Sequence, residues 1–145
     1  MTKRRAAVLV PLAGYVVLLL DLALLQFPAA RPAHNAIPFR SMIRDWHSGG
    51  SPFVWNLVGN LVAFLPIGMI PSALWWRRTG VGRATAFSLA FSVLIESIQY
   101  FSGRRVADVD DLILNTAGGI LGYSLLSLCA RLAQARRARG ARAGA

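Results

Sequence analysis

Hydrophobic positions in this chain come in four long runs, residues 6–27, 53–76, 84–101 and 112–130, separated by short polar stretches. A helix needs roughly 20 residues, each rising ~1.5 Å, to cross a hydrocarbon core of about 30 Å, and each run is close to that length. None of the runs alternates apolar and polar residues, and backbone groups in lipid must bond within their own segment, so helices are expected rather than strands. The pattern therefore predicts an all-α integral membrane four-helix bundle. We read residues 1–145 as one multi-pass membrane domain, with 131–145 forming a basic tail. The Ala/Arg-rich end, 136–145, reads as disordered. Pro66, Gly68 and Pro71 are expected to interrupt the second helix, since proline removes a backbone donor and kinks the chain.

Composition agrees with a bilayer as solvent. Of 145 residues 55% are hydrophobic and only 15% charged, which is more apolar surface than one small soluble core can hide. The formal charge of +10 could point to nucleic acid. The basic residues, however, lie at chain ends and between apolar runs, with no aromatic-interleaved basic face, so no nucleic-acid partner is expected. A single cysteine, Cys129, excludes an internal disulfide and a cysteine zinc cluster. No cofactor is called for. Lys3, Arg4 and Arg5 ahead of the first run resemble a signal peptide, but the run exceeds the ~7–15 residues of a signal core and Asp21 interrupts its end. A retained span is expected.

Arginine placement orients the bundle. Lys3, Arg4, Arg5, Arg77, Arg78, Arg83, Arg131, Arg136, Arg137, Arg139 and Arg142 fall on one side of a four-span arrangement; Arg31, Arg40, Arg44, Arg104 and Arg105 fall on the other. By the positive-inside rule both termini are cytoplasmic in a bacterial plasma membrane, and the loops 28–52 and 102–110 face outward. Trp46, Trp55, Trp75 and Trp76 read as interface anchors.

In that orientation the polar intramembrane residues share one depth. Asp21, Asn56, Asn60, Glu96, Gln99, Asp111 and Asn115 all lie within about two turns of the outward ends of their helices. Ser88, Ser92, Glu96, Gln99 and Gly103 recur at steps of three or four and make one stripe; Asn56 with Asn60, and Asp111 with Asn115, Gly118 and Gly122, do the same. Gly118 and Gly122 form a small-xxx-small pair that admits a neighbouring helix. A carboxylate at membrane depth costs several kcal/mol, on the order of 3, unless protonated or paired, and Arg104 or Arg105 is within reach of Glu96 as a partner. The amides read first as interhelical glue.

Asp108, Asp110 and Asp111 invite a metal, because oxygen-rich clusters suit magnesium or calcium. The simpler reading is that Asp110 or Asp111 caps the fourth helix, so no metal site is assigned. His34 and His47 lack a second ligand at metal spacing and read as solvated. Nucleophile, phosphate-loop and zinc motifs are missing from the sequence.

NLVGNLVAFLPIG at 56–68, E-x-x-Q-x-x-x-G-R-R at 96–105, D-x-D-D-x-x-x-N-x-x-G-G at 108–119 and HNAIPFRSM at 34–42 together resemble the VanZ-like family of bacterial membrane proteins. The resemblance runs over about 35–123. It implies a small multi-pass protein related to one associated with low-level teicoplanin resistance, and it carries Asn56, Asn60, Pro66, Gly68, Glu96, Gln99, Gly103, Arg104, Asp108, Asp111, Asn115 and Gly119. It names a relative rather than a reaction.

Three functions fit. The first is a non-enzymatic membrane protein whose outward polar site, formed by Asn56, Asn60, Glu96, Gln99, Arg104, Asp108, Asp111 and Asn115, binds or shields a cell-envelope lipid or lipid-linked precursor. The second is an intramembrane hydrolase or transferase with Glu96 as general acid/base, for which no nucleophile is visible. The third, a small carrier, lacks a visible repeat and polar groups beyond one face.

Overall fold

A computed structural model of the chain describes residues 3–24, 34–75, 80–102 and 107–143. Among these, the elements in order are α1 (Lys3–Leu24), β1 (His34–Asn35), α2 (Arg40–His47), α3 (Ser51–Trp75), α4 (Val81–Ser102), β2 (Ala107–Asp108) and α5 (Val109–Ala143). Three helices are long and apolar enough to cross a membrane, over Ser51–Ser72, Val81–Phe101 and Val109–Arg142. These fall on the three later runs of the sequence. In α1 the apolar stretch among the described residues is the shorter Val10–Asp21.

The closest packing is between α3 and α5, where glycines remove the side chains that would hold the backbones apart. A methyl group on Gly68 would come within 2.7 Å of the Gly119 Cα, and one on Gly118 within 2.5 Å of the Leu61 carbonyl oxygen. Gly122 meets Leu65 in the same way, so the Gly118/Gly122 pair serves α3. On the α4 side Gly119 faces Ser88. The small stripe of α4 is accordingly inward: Ser88, Ser92 and Gln99 are buried, with Ala84 and Ile95 on the same side. An apolar core of Leu19, Phe64, Ile67 and Ile95 fills the space between α1, α3 and α4. The Tyr15 hydroxyl donates to the Ala63 carbonyl across 2.5 Å, fastening α1 to α3.

Four features depart from the sequence expectations. First, α3 runs unbroken through Pro66 and Pro71, because a helix in a tightly packed bundle is held by its neighbours and tolerates a missing donor. Second, α5 continues through the Ala/Arg segment to Ala143 rather than ending in a disordered tail; alanine and arginine are among the strongest helix formers. At ~1.5 Å per residue this 35-residue helix is about 50 Å long, well beyond a hydrocarbon core. Third, the first connecting loop contains the short helix α2. Fourth, β1 and β2 pair in parallel, His34 with Ala107 and Asn35 with Asp108. That pairing ties the connection before α3 to the connection between α4 and α5, so both lie at one end of the bundle.

Candidate functional site

The β2–α5 junction is the hub of that end. Its three carboxylates, Asp108, Asp110 and Asp111, each fasten a different neighbour. Asp108 precedes the first residue of α5, and its Oδ1 accepts the Asp110 amide at 2.9 Å. It is therefore the N-cap, satisfying one of the orphan amides of the first turn. The same oxygen accepts from Asn35 Nδ2 at 2.9 Å, and Asn35 Oδ1 in turn accepts the Ile37 amide at 3.1 Å. Expectation and structure differ here: the cap is Asp108, not Asp110 or Asp111, since only the residue outside the first turn can fold its side chain back onto the N2 amide.

Asp110 is fully buried and points to α2. Its Oδ2 accepts the Ser41 amide at 2.9 Å and the Met42 amide at 3.2 Å, and also the Ser41 hydroxyl. Its Oδ1 accepts the Phe39 amide. A charge surrounded by four donors at a helix N-terminus is a stable way to bury a carboxylate. Phe39 is the N-cap residue of α2 but has no side-chain cap of its own; its backbone is left-handed, at φ 65° and ψ 3°. That conformation costs a bulky residue about 1–2 kcal/mol, a cost met by the donors it brings to Asp110.

Asp111 is buried and faces α3. Its Oδ1 accepts from Asn60 Nδ2 at 2.8 Å, and Asn60 Nδ2 also reaches Asn56 Oδ1 at 2.7 Å. Asn56 Nδ2 stands 3.5 Å from Asp45 Oδ2 of α2. A polar chain thus descends from α2 through α3 to α5. On the α4 side, Glu96 Oε2 accepts the Asp108 amide at 2.8 Å. One turn deeper than Asp111, Asn115 Nδ2 donates to Ser92 Oγ at 3.0 Å, while Asn115 Oδ1 and Ser88 Oγ are buried with no hydrogen-bond partner among the described residues.

The structure therefore brings Asn56, Asn60 and Asp111 together, joins Glu96 to Asp108, and links both groups through the first turn of α5. Asn115 pairs separately with Ser92, and Gln99 is buried along the same face of α4. Arg104 and Arg105, the expected partners of Glu96, lie outside the described residues, as does Gly103. Sequence reasoning missed the buried latch from Asp110 to Ser41 and the contact of Asp45 with Asn56. Neither has a periodicity to announce it, because each connects a loop element to a span. Among the described residues no three His, Cys, Asp or Glu side chains gather as a metal-ligand set.

Beside the hub lies a shallow groove of about 260 Å³, lined by His34, Asn35, Glu96, Ala107, Asp108 and Leu112 among others. Its lining is mostly apolar, and the polar groups at its edge, those of Glu96, Asn35 and Asp108, bond to one another.

These features define a small all-helical membrane protein with an acid-and-amide cluster built where two connecting loops meet. The VanZ/LLP1 family model matches residues 7–130, and the chain belongs to that family. It is similar to Protein VanZ of Enterococcus faecium, 32% identical over 73 residues, a segment covering 50% of this chain and 45% of that relative. The chain thus aligns with less than half of the relative's length. No solved structure matches.

Proposed function

We propose that the chain is a four-span protein of the bacterial plasma membrane, both termini cytoplasmic, whose outward acid-and-amide cluster binds or shields the polar part of a cell-envelope lipid or lipid-linked precursor. By likeness to its VanZ relative it would contribute to glycopeptide tolerance, teicoplanin included. Asn56, Asn60, Glu96, Gln99, Asp108, Asp111 and Asn115 are the proposed walls, and Arg104, outside the described residues, is proposed to join them. The observation that carries this reading is the gathering of acids and amides, Glu96, Asp108 and Asp111 with Asn60, where the loop junction meets the ends of membrane-spanning helices, with a groove beside Glu96 and Asp108. Carboxylates are expensive at such depth, and their concentration at one end favours a polar occupant.

The test is lipid identification by mass spectrometry on the purified protein. Enrichment of a sugar-, peptide- or amine-bearing envelope lipid over its membrane abundance, reduced in Glu96→Gln, supports the reading. Bulk phospholipids in membrane proportions, unchanged by the substitution, count against it.

A further inference from the structure

The helix α2 is amphipathic in the opposite sense to a helix on a soluble protein. Its polar residues Ser41 and Asp45, four apart on one face, point into the molecule: Ser41 is buried on Asp110 and Asp45 approaches Asn56. On the other face Phe39, Ile43 and Trp46, at steps of four and three, are exposed by 53%, 57% and 62%. On the first turns of α3, Trp55 is also exposed, by 76%. Beside the outer face of α2 a groove of about 480 Å³ is lined by Phe39, Met42, Ile43, Trp46, His47 and Phe53, with the Trp46 and Phe53 rings edge to face at 5.5 Å.

Where α2 stands says what covers this face. Gly49 and Gly50, at φ 109° and 77°, turn the chain directly from α2 into Ser51, the first residue of a membrane-crossing helix. The other end is latched by Asp110 to the first turn of α5, another crossing helix. Both anchors hold α2 at the level where spans leave the hydrocarbon. Arg40 and Arg44 are exposed on it, and Arg44 pairs with Asp45 at 3.2 Å. An apolar face with tryptophan, flanked by arginines and fixed at that depth, matches a helix lying in the membrane plane.

We propose that α2 is an interfacial helix whose outer face docks on bilayer lipid, with Phe39, Ile43 and Trp46 among the upper acyl carbons and the adjoining groove receiving an acyl chain. The occupant is lipid of the surrounding membrane. Its docking does not depend on whether the polar cluster binds an envelope precursor. The polar underside closes the outward end of the bundle, and lipid holds the lid down from outside.

The experiment uses the full chain in phosphatidylcholine vesicles, with Trp55→Phe, Trp75→Phe and Trp76→Phe leaving Trp46 as the fluorophore. Lipids brominated at upper acyl positions should remove most of the Trp46 emission, lipids brominated near the chain end much less, and aqueous iodide little. Ready quenching by iodide with none by bromolipid would overturn the proposal and place α2 in water. Protection from both would also overturn it and point to a second copy on this face. A second measurement keeps tryptophan in place: Ile43→Cys in a Cys129→Ser background, carrying a nitroxide, should show greater collision with oxygen than with a water-soluble nickel chelate. The reverse order would overturn the proposal.

Discussion

Asp110 caps a helix other than its own: its carboxylate, rooted in the first turn of α5, accepts the Ser41 amide of α2 at 2.9 Å while fully buried. Removing it strands the amides of Phe39, Ser41 and Met42 together. Asp110→Ala should therefore destabilise the protein by about 1–3 kcal/mol per buried group left unpaired, within the usual range for such losses, and Ser41→Ala by about 1 kcal/mol. Thermal unfolding in detergent measures both, and limited proteolysis near α2 should show Asp110→Ala cleaved there first. Equal stability of Asp110→Ala and the parent would contradict the latch.

The glycines divide by what faces them. Gly119→Ala would drive a methyl into Ser88, and Gly68→Ala into Gly119, whereas nothing lies within 4 Å of a methyl on Gly59. Overpacking at these contacts of α5 with α4 and α3 should cost about 1–3 kcal/mol, while Gly59→Ala should be neutral or stabilise by up to about 1 kcal/mol through helix propensity. The melting temperatures of the three variants in one detergent check the order. A Gly119→Ala variant as stable as Gly59→Ala would mean that the helices do not approach as described.

The Asn60–Asp111 bond, 2.8 Å between α3 and α5, lends itself to a double-mutant cycle. Interhelical polar bonds in membranes average only ~0.6 kcal/mol and reach about 2, so a coupling energy in that range is expected for Asn60→Ala with Asp111→Ala. Chemical or thermal unfolding of the four proteins gives the number. A coupling of zero would show that the two side chains do not act together.

Topology is open to labelling. With Cys129→Ser as background, Ala36→Cys beside the β1–β2 pairing should react with a membrane-impermeant thiol reagent added to intact cells, and Ala141→Cys at the far end of α5 should react only after lysis. Reversal of the two would turn the bundle over and end the proposal of an outward site.

Much of the bundle is legible as runs of apolar residues, because length and apolarity together let a helix cross a bilayer, and α3, α4 and α5 fall on the runs that predict them. The faces were legible too: the Ser88, Ser92 and Gln99 stripe is buried, and Gly118 and Gly122 admit a helix backbone. What periodicity did not reveal depends on tertiary contact. An eight-residue helix such as α2 is too short for a periodic signal, and its apolar outer face is intelligible only once Ser41 and Asp45 are seen bonded inward. The role of Asp108 as cap followed from where α5 begins, a boundary that three acids in four residues leave ambiguous. The continuation of α5 past Arg136 was readable from propensity, but the dense arginines suggested disorder instead.

The most direct test of the outward site is the drug tolerance of a susceptible host expressing the chain or its Glu96→Gln variant, with membrane levels followed by blot. Glutamine can still accept the Asp108 amide that Glu96 now takes at 2.8 Å, so the substitution removes charge while sparing that bond. The account predicts teicoplanin tolerance with the parent chain and its loss in Glu96→Gln at unchanged protein level. Full tolerance in Glu96→Gln, or a loss that merely follows the disappearance of the protein, would contradict it.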